Sequence, residues 1–123
     1  MRTSVIIGIL VSIGVLVQIA LGESGLVHLM RIPHAILGYL GVVLVAVYYY
    51  LNRKSKTVSI IALVLLILTV LQAIEGSLLF FGLSQRTMDH RILAYVLLAV
   101  GLIGGILAAR FRRTVTGAVE KTQ

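Results

Sequence analysis

His34 and His90 each open the same six-residue word. It reads His-Ala-Ile-Leu-Gly-Tyr at 34–39 and His-Arg-Ile-Leu-Ala-Tyr at 90–95. Ile and Leu recur by chance in an apolar chain, but this chain has only three His and five Tyr. A neutral imidazole offers one ring nitrogen to a metal. Two histidines at matched positions in a duplicated chain therefore read as a pair of ligands to one shared cofactor. Gly38 and Ala94 each stand four residues further on, on the same face of a helix as the histidine. Small residues there leave room for a flat macrocycle, and two imidazoles on opposite sides of an iron porphyrin give bis-His ligation. His28 has no counterpart in the second copy, and is expected in a loop, facing solvent, with ligation as its alternative role. Met30 and Met88 lie near the same level and are weaker candidates as axial ligands.

The elements that hold these residues follow from composition. The 123 residues are 59% hydrophobic and 12% charged, with no Trp and one Pro, too apolar for a soluble domain. There is no Cys, which excludes disulfides and thiolate metal sites. Val5–Gly22, Ala35–Leu51, Val58–Ile74 and Ile92–Ala109 contain no charged residue. Each is long enough as a helix to span roughly 26 Å, close to a ~30 Å hydrocarbon core. The alternation of a membrane barrel is absent, so four transmembrane helices are expected. Met1-Arg2 ahead of an apolar run ending near Ala20 and Gly22 also resembles a secretory signal. The run is longer than the usual signal core, and the internal repeat requires this helix.

The net charge of +7 sorts by side of the membrane and is not a nucleic-acid signal. With four spans, Arg2, Arg53, Lys54, Lys56, Arg110, Arg112, Arg113 and Lys121 fall on one side with Glu120. Arg31, Arg86 and Arg91 fall on the other with Glu23, Glu75 and Asp89. Cytoplasmic loops carry the excess of Lys and Arg, so both termini are expected inside and both histidine words at the outer face. The plasma membrane of a prokaryote is the expected location.

Gln18, Gly22, His34, Tyr39 and Arg53 parallel Gln72, Gly76, His90, Tyr95 and Arg110. One domain of two tandem helical hairpins, about 1–57 and 58–123, follows from this repeat. Copies with one orientation are expected to be related by a pseudo-two-fold axis near the membrane normal. Outer loops are expected at Glu23–Pro33 and Glu75–Asp89, with the histidines in the first turns of the second and fourth helices. Pro33 would sit at the start of one helix and Asp89 would cap the other. The inner loop is expected at Asn52–Lys56, and the polar tail from Thr114 is expected to fray.

Other residues carry two readings. Gln18 and Gln72 suit hydrogen bonding between helices, or to a cofactor or quinone. Arg31, Arg86 and Arg91 are the outer cations; guanidinium pairs well with carboxylates such as haem propionates, or with headgroups. Glu75 directly follows an apolar run and suits a proton path or simple exposure at the interface. Gly101 and Gly105 form a small-xxx-small spacing, for packing within the bundle or between protomers.

His90-Arg91-Ile92-Leu93-Ala94-Tyr95, Gln72, Gly76 and Gln18-Ile19-Ala20-Leu21-Gly22 together make the chain resemble the haem A synthase family. It resembles one four-helix half of that duplicated family, in the manner of its compact archaeal forms, over roughly residues 10–110. The resemblance implies a histidine at the outer end of the second and fourth helices and a haem between them. Many synthases have an acidic residue three before the second-helix histidine; Arg31 stands there in this chain. The family's outer-loop Cys pair is also missing. Scaffold and ligands are thus better matched than oxidation chemistry.

The sequence reading is an all-α, integral membrane four-helix bundle holding one haem b through His34 and His90. Gly38, Ala94, Arg31, Arg91, Gln18 and Gln72 surround the group. Electron transfer is the expected activity, as a subunit of a respiratory complex or a homodimer, with lipid around it and quinone as a further partner. A compact haem A synthase and a haemless packing subunit are the alternatives.

Overall fold

The computed structural model describes the backbone of residues 2–24 and 27–120, and not the side chains of Arg2, Ser4, Val27, His28 or residues 108–120. All of it is built from four helices: α1 Arg2–Glu23, α2 Val27–Asn52, α3 Lys56–Phe80 and α4 Thr87–Glu120. Each contains a stretch long and apolar enough to cross a membrane. The exterior matches that composition. Ile6, Ile13, Ile60, Ile67, Ile92 and Ile103 are all more than half exposed. A surface of that kind suits hydrocarbon and not water.

The helices close into a ring. α1 packs on α2, α2 on α3, α3 on α4, and α4 returns to α1. α2 and α4 are diagonal partners: among the described residues, no Cα of one comes within 8 Å of a Cα of the other. The core has one contribution from each helix, Val11, Val45, Leu65 and Leu97. Gln18 and Gln72 each lie seven residues after a core residue, and His90 seven before one. Seven residues are about two turns, or ~10 Å. The bundle therefore stacks a polar layer about two turns from an apolar one.

Several boundaries differ from expectation, and the helices are longer than the charge-free windows. Pro33 lies inside α2, not at its start, so His34 sits well beyond the first turn. A proline within a helix removes one N–H bond and crowds the preceding turn, at about 3 kcal/mol in water. An apolar setting reverses the balance, because ending the helix there would leave further backbone groups unpaired. His28 belongs to α2 and not to a loop. Its side chain lies outside the described residues. Asp89 is the third residue of α4 rather than its cap, paired at 3.8 Å with Arg86. It still places a negative charge at the positive end of the helix dipole.

The connections expected to be long are short: α1 ends at Glu23 and α2 begins at Val27, α3 and α4 are joined by 81–86, and α2 and α3 by 53–55. The division expected at 57/58 falls within the first turn of α3. The tail from Thr114 continues α4 as far as Glu120, while Lys121–Gln123 lie outside the described residues. α3 stops through a glycine that the sequence reading passed over. Gly82 takes φ +71°, Leu83 N–H donates to Leu78 O at 2.8 Å and Gly82 N–H to Leu79 O at 3.2 Å. This is a Schellman motif, which closes the free carbonyls of the last turn.

The glycines of α4 have a role inside the bundle. A Cβ at Gly104 would lie 2.5 Å from Ile61 Cγ2 on α3. One at Gly101 would lie 3.8 Å from Leu65, and one at Gly105 meets nothing within 4 Å. Ile61 is β-branched and stiff in a helix, so it yields poorly. Gly104→Ala is expected to destabilise the bundle by ~1–3 kcal/mol, as overpacking does. Gly105→Ala should be neutral, and adding Ile61→Ala should restore the Gly104→Ala protein. Thermal unfolding in detergent measures all three; equal stability of the two glycine variants would refute the packing.

Candidate cofactor site

The diagonal helices meet through their histidines. Both rings are half-buried, their centres 6.2 Å apart and their planes at 64°. Each hairpin supplies a glutamine to its own histidine. Gln18 Nε2 donates to the His34 backbone carbonyl at 2.8 Å. Gln72 Nε2 lies 3.2 Å from His90 Nε2. With the Gln72 amide donating, His90 Nε2 is the acceptor and the ring proton sits on Nδ1; with the amide turned over, His90 Nε2–H donates to Gln72 Oε1 and Nδ1 keeps a lone pair that can ligate a metal.

In either tautomer His90 Nδ1 is left without a partner. His90 Nδ1, His34 Nδ1, Gln18 Oε1, Gln72 Oε1 and Glu75 Oε2 are buried without a hydrogen-bond partner. Leaving a buried polar atom unmatched costs about 1–3 kcal/mol. Orphans of this kind call for an added group or ordered water. Five of them, spread over all four helices and including both candidate ligands, mark this layer as the chemically unfinished part of the bundle. Glu75 joins them despite the interfacial exposure expected for it.

The donor set limits what fits. Among the described residues no group of three or more His, Cys, Asp or Glu could hold a metal ion. Two imidazoles alone under-coordinate a bare ion. They suffice for a metal that arrives with its own equatorial ligands, as in a porphyrin. The ring centres, 6.2 Å apart, are close enough for one such group to be held by both imidazoles.

Room for a macrocycle is conditional. A Cβ at Gly38 would lie 3.3 Å from Gln18 Nε2, and one at Gly76 would lie 3.1 Å from His90 Cε1. The space left by Gly38 is thus taken up by a glutamine amide, a flexible side chain that can swing aside. Ala94 is half-buried on α4. Gly22, the repeat counterpart of Gly76, faces nothing within 4 Å.

Arg91 and Arg31 are already engaged. Arg91 Nε and Nη2 donate to the two carboxylate oxygens of Glu23 at 2.8 and 2.6 Å. The pair joins the end of α1 to the start of α4. Arg31 stacks 4.5 Å over the Phe80 ring. Sequence spacing gave no warning of either contact, because their partners come from other helices. Tyr39 and Ser77 were also missed as a pair: their hydroxyls lie 2.7 Å apart, between α2 and α3.

No family model, curated protein or solved structure matches this chain. The functional reading therefore rests on the geometry of the histidine layer.

Proposed function

We propose that the protein is an integral membrane b-type cytochrome with one haem held between α2 and α4 by His34 and His90. One observation carries this reading: two half-buried imidazoles 6.2 Å apart across the bundle diagonal, each with an unpaired buried nitrogen. The haem iron supplies reversible one-electron chemistry when bound, and the protein sets its ligands, surroundings and access. Gly38 and Ala94 give space beside it, while Gln18 and Gln72 orient the histidines or donate to the group. Arg31, and Arg91 on exchanging its Glu23 partner, would be the cations that pair with its propionates.

The four helices span the membrane as two hairpins about a pseudo-two-fold axis, with both termini on the cytoplasmic side. The histidine layer then lies toward the outer face. As an electron carrier, the cytochrome passes electrons within a larger respiratory assembly of a prokaryotic plasma membrane. Arg31 stands where many synthases of the resembled family have an acidic residue; a guanidinium is no base near neutral pH. Electron transfer is therefore favoured over haem oxidation.

A reduced-minus-oxidised optical spectrum of the purified protein tests the proposal. Low-spin b-type bands are expected, and a protein that purifies without haem from a haem-replete host would refute it. Expression where haem O accumulates, followed by chromatography of extracted haems, decides the synthase alternative: haem A in the extract would overturn the electron-carrier reading.

Orientation has its own test, made simple by the lack of native cysteine. Cysteine at Ser24 or Ser84 should react with an impermeant maleimide added outside. Cysteine at Ser55, on the basic inner loop, should react only after permeabilisation. Labelling of position 55 in intact cells would invert the topology.

A further inference from the structure

A groove of about 320 Å³ runs between α2 and α3, lined by Tyr39, Val42, Val70, Ala73, Ile74 and Ser77 among others. Apart from the Tyr39–Ser77 hydroxyl pair, those lining side chains are apolar. Tyr39 is 53% exposed, so the groove is open to the lipid side of the bundle. It also borders the histidine layer. Tyr39 follows Gly38, and Ser77 follows Gly76, whose Cα faces the His90 ring.

The hydroxyl protons can be assigned. Ser77 Oγ donates to Ala73 O at 2.6 Å, which uses its single proton. The 2.7 Å contact between Tyr39 and Ser77 is then a bond from the phenol to Ser77 Oγ. Tyr39 has no proton left to give, while its oxygen keeps lone pairs that can accept. A ligand that hydrogen-bonds to Tyr39 here must therefore bring its own donor, such as an O–H. It must also bury an apolar body along Val42, Val70 and Ile74.

We propose that this groove binds the ring and first tail carbons of a lipid-soluble quinol, with a quinol hydroxyl donating to Tyr39 Oη. The choice of a quinol among hydroxyl-bearing amphiphiles rests on the electron-transfer reading above. The donor count adds a preference of its own: the quinol has an O–H to offer, and the corresponding quinone has none. Binding is favoured for the reduced form.

The test uses the full protein in lipid nanodiscs and a radiolabelled benzoquinol with a ten-carbon tail. Its quinone and the straight-chain alcohol of equal tail length serve as competitors. The quinol should compete at least fivefold better than either. Tyr39→Phe should weaken quinol binding roughly fivefold to tenfold, as loss of one hydrogen bond does, and remove the preference over quinone. Val70→Trp, filling the groove, should abolish binding while leaving the optical spectrum and elution profile as in the parent.

Equal competition by the alcohol would show a lipid-tail groove and overturn the proposal. Full quinol affinity in Tyr39→Phe or Val70→Trp would do so as well. The spectrum of the same samples reports haem separately. Haem without quinol binding removes this site alone, and quinol binding without haem removes the cytochrome reading alone.

Discussion

His34→Ala and His90→Ala are each expected to abolish the low-spin spectrum, leaving a high-spin haem or none. The two rings approach from diagonal helices that have no backbone contact within 8 Å, so each hairpin supplies one of the two ligands. Loss of either ligand should weaken haem retention at least a hundredfold, or about 3 kcal/mol at 1.4 kcal/mol per factor of ten. Removing the His90 ring also strips Gln72 of its partner at 3.2 Å, so that variant should lose more stability. Added imidazole should restore a low-spin form in both variants if the bundle is intact. His28→Ala serves as the control and should leave the spectrum unchanged. Haem lost from His28→Ala but kept in either of the others would refute the diagonal site.

Gly76→Val should be nearly as damaging, while Gly22→Val should be silent. The two glycines are equivalent in the repeat, yet their surroundings differ. A single Cβ at Gly76 would already press on His90 Cε1 at 3.1 Å, whereas Gly22 faces open space. Valine adds two branches to that Cβ and holds them in one rotamer in a helix. The His90 ring must leave its place or α3 must separate from α4. Haem content should fall about tenfold or more in Gly76→Val, with Gly76→Ala intermediate. Gly22→Val should match the parent in haem content and thermal stability. Equal spectra for the two valine variants would mean that Gly76 does not shape the site.

Much of the site is legible in the residues alone. Charge-free apolar runs require helices whatever their partners, because backbone groups must pair internally when no water is near. The repeat brought out His34, His90, Gln18 and Gln72 through rare residue types at matched spacing, a signal that survives an apolar background. Helix ends were read less well. Pro33 and Asp89 signal a helix start in water, where unpaired backbone groups are solvated cheaply. In this bundle α2 runs through Pro33, and α3 extends past Glu75 to a glycine stop at Gly82.

Pairing between helices is a different matter. A repeat states that two positions are alike, but not what lies opposite them. Gly22 and Gly76 are alike in sequence and unlike in environment, and Gln18 binds a backbone carbonyl where Gln72 meets a ring nitrogen. Arg91 finds Glu23, 68 residues away, and Tyr39 finds Ser77, 38 away. Helix identity and apolar faces follow from local composition, since each turn is closed by its own residues. Which side chains share a layer depends on the rotation and offset of whole helices, set by contacts such as Ile61 against Gly104 that no local pattern encodes.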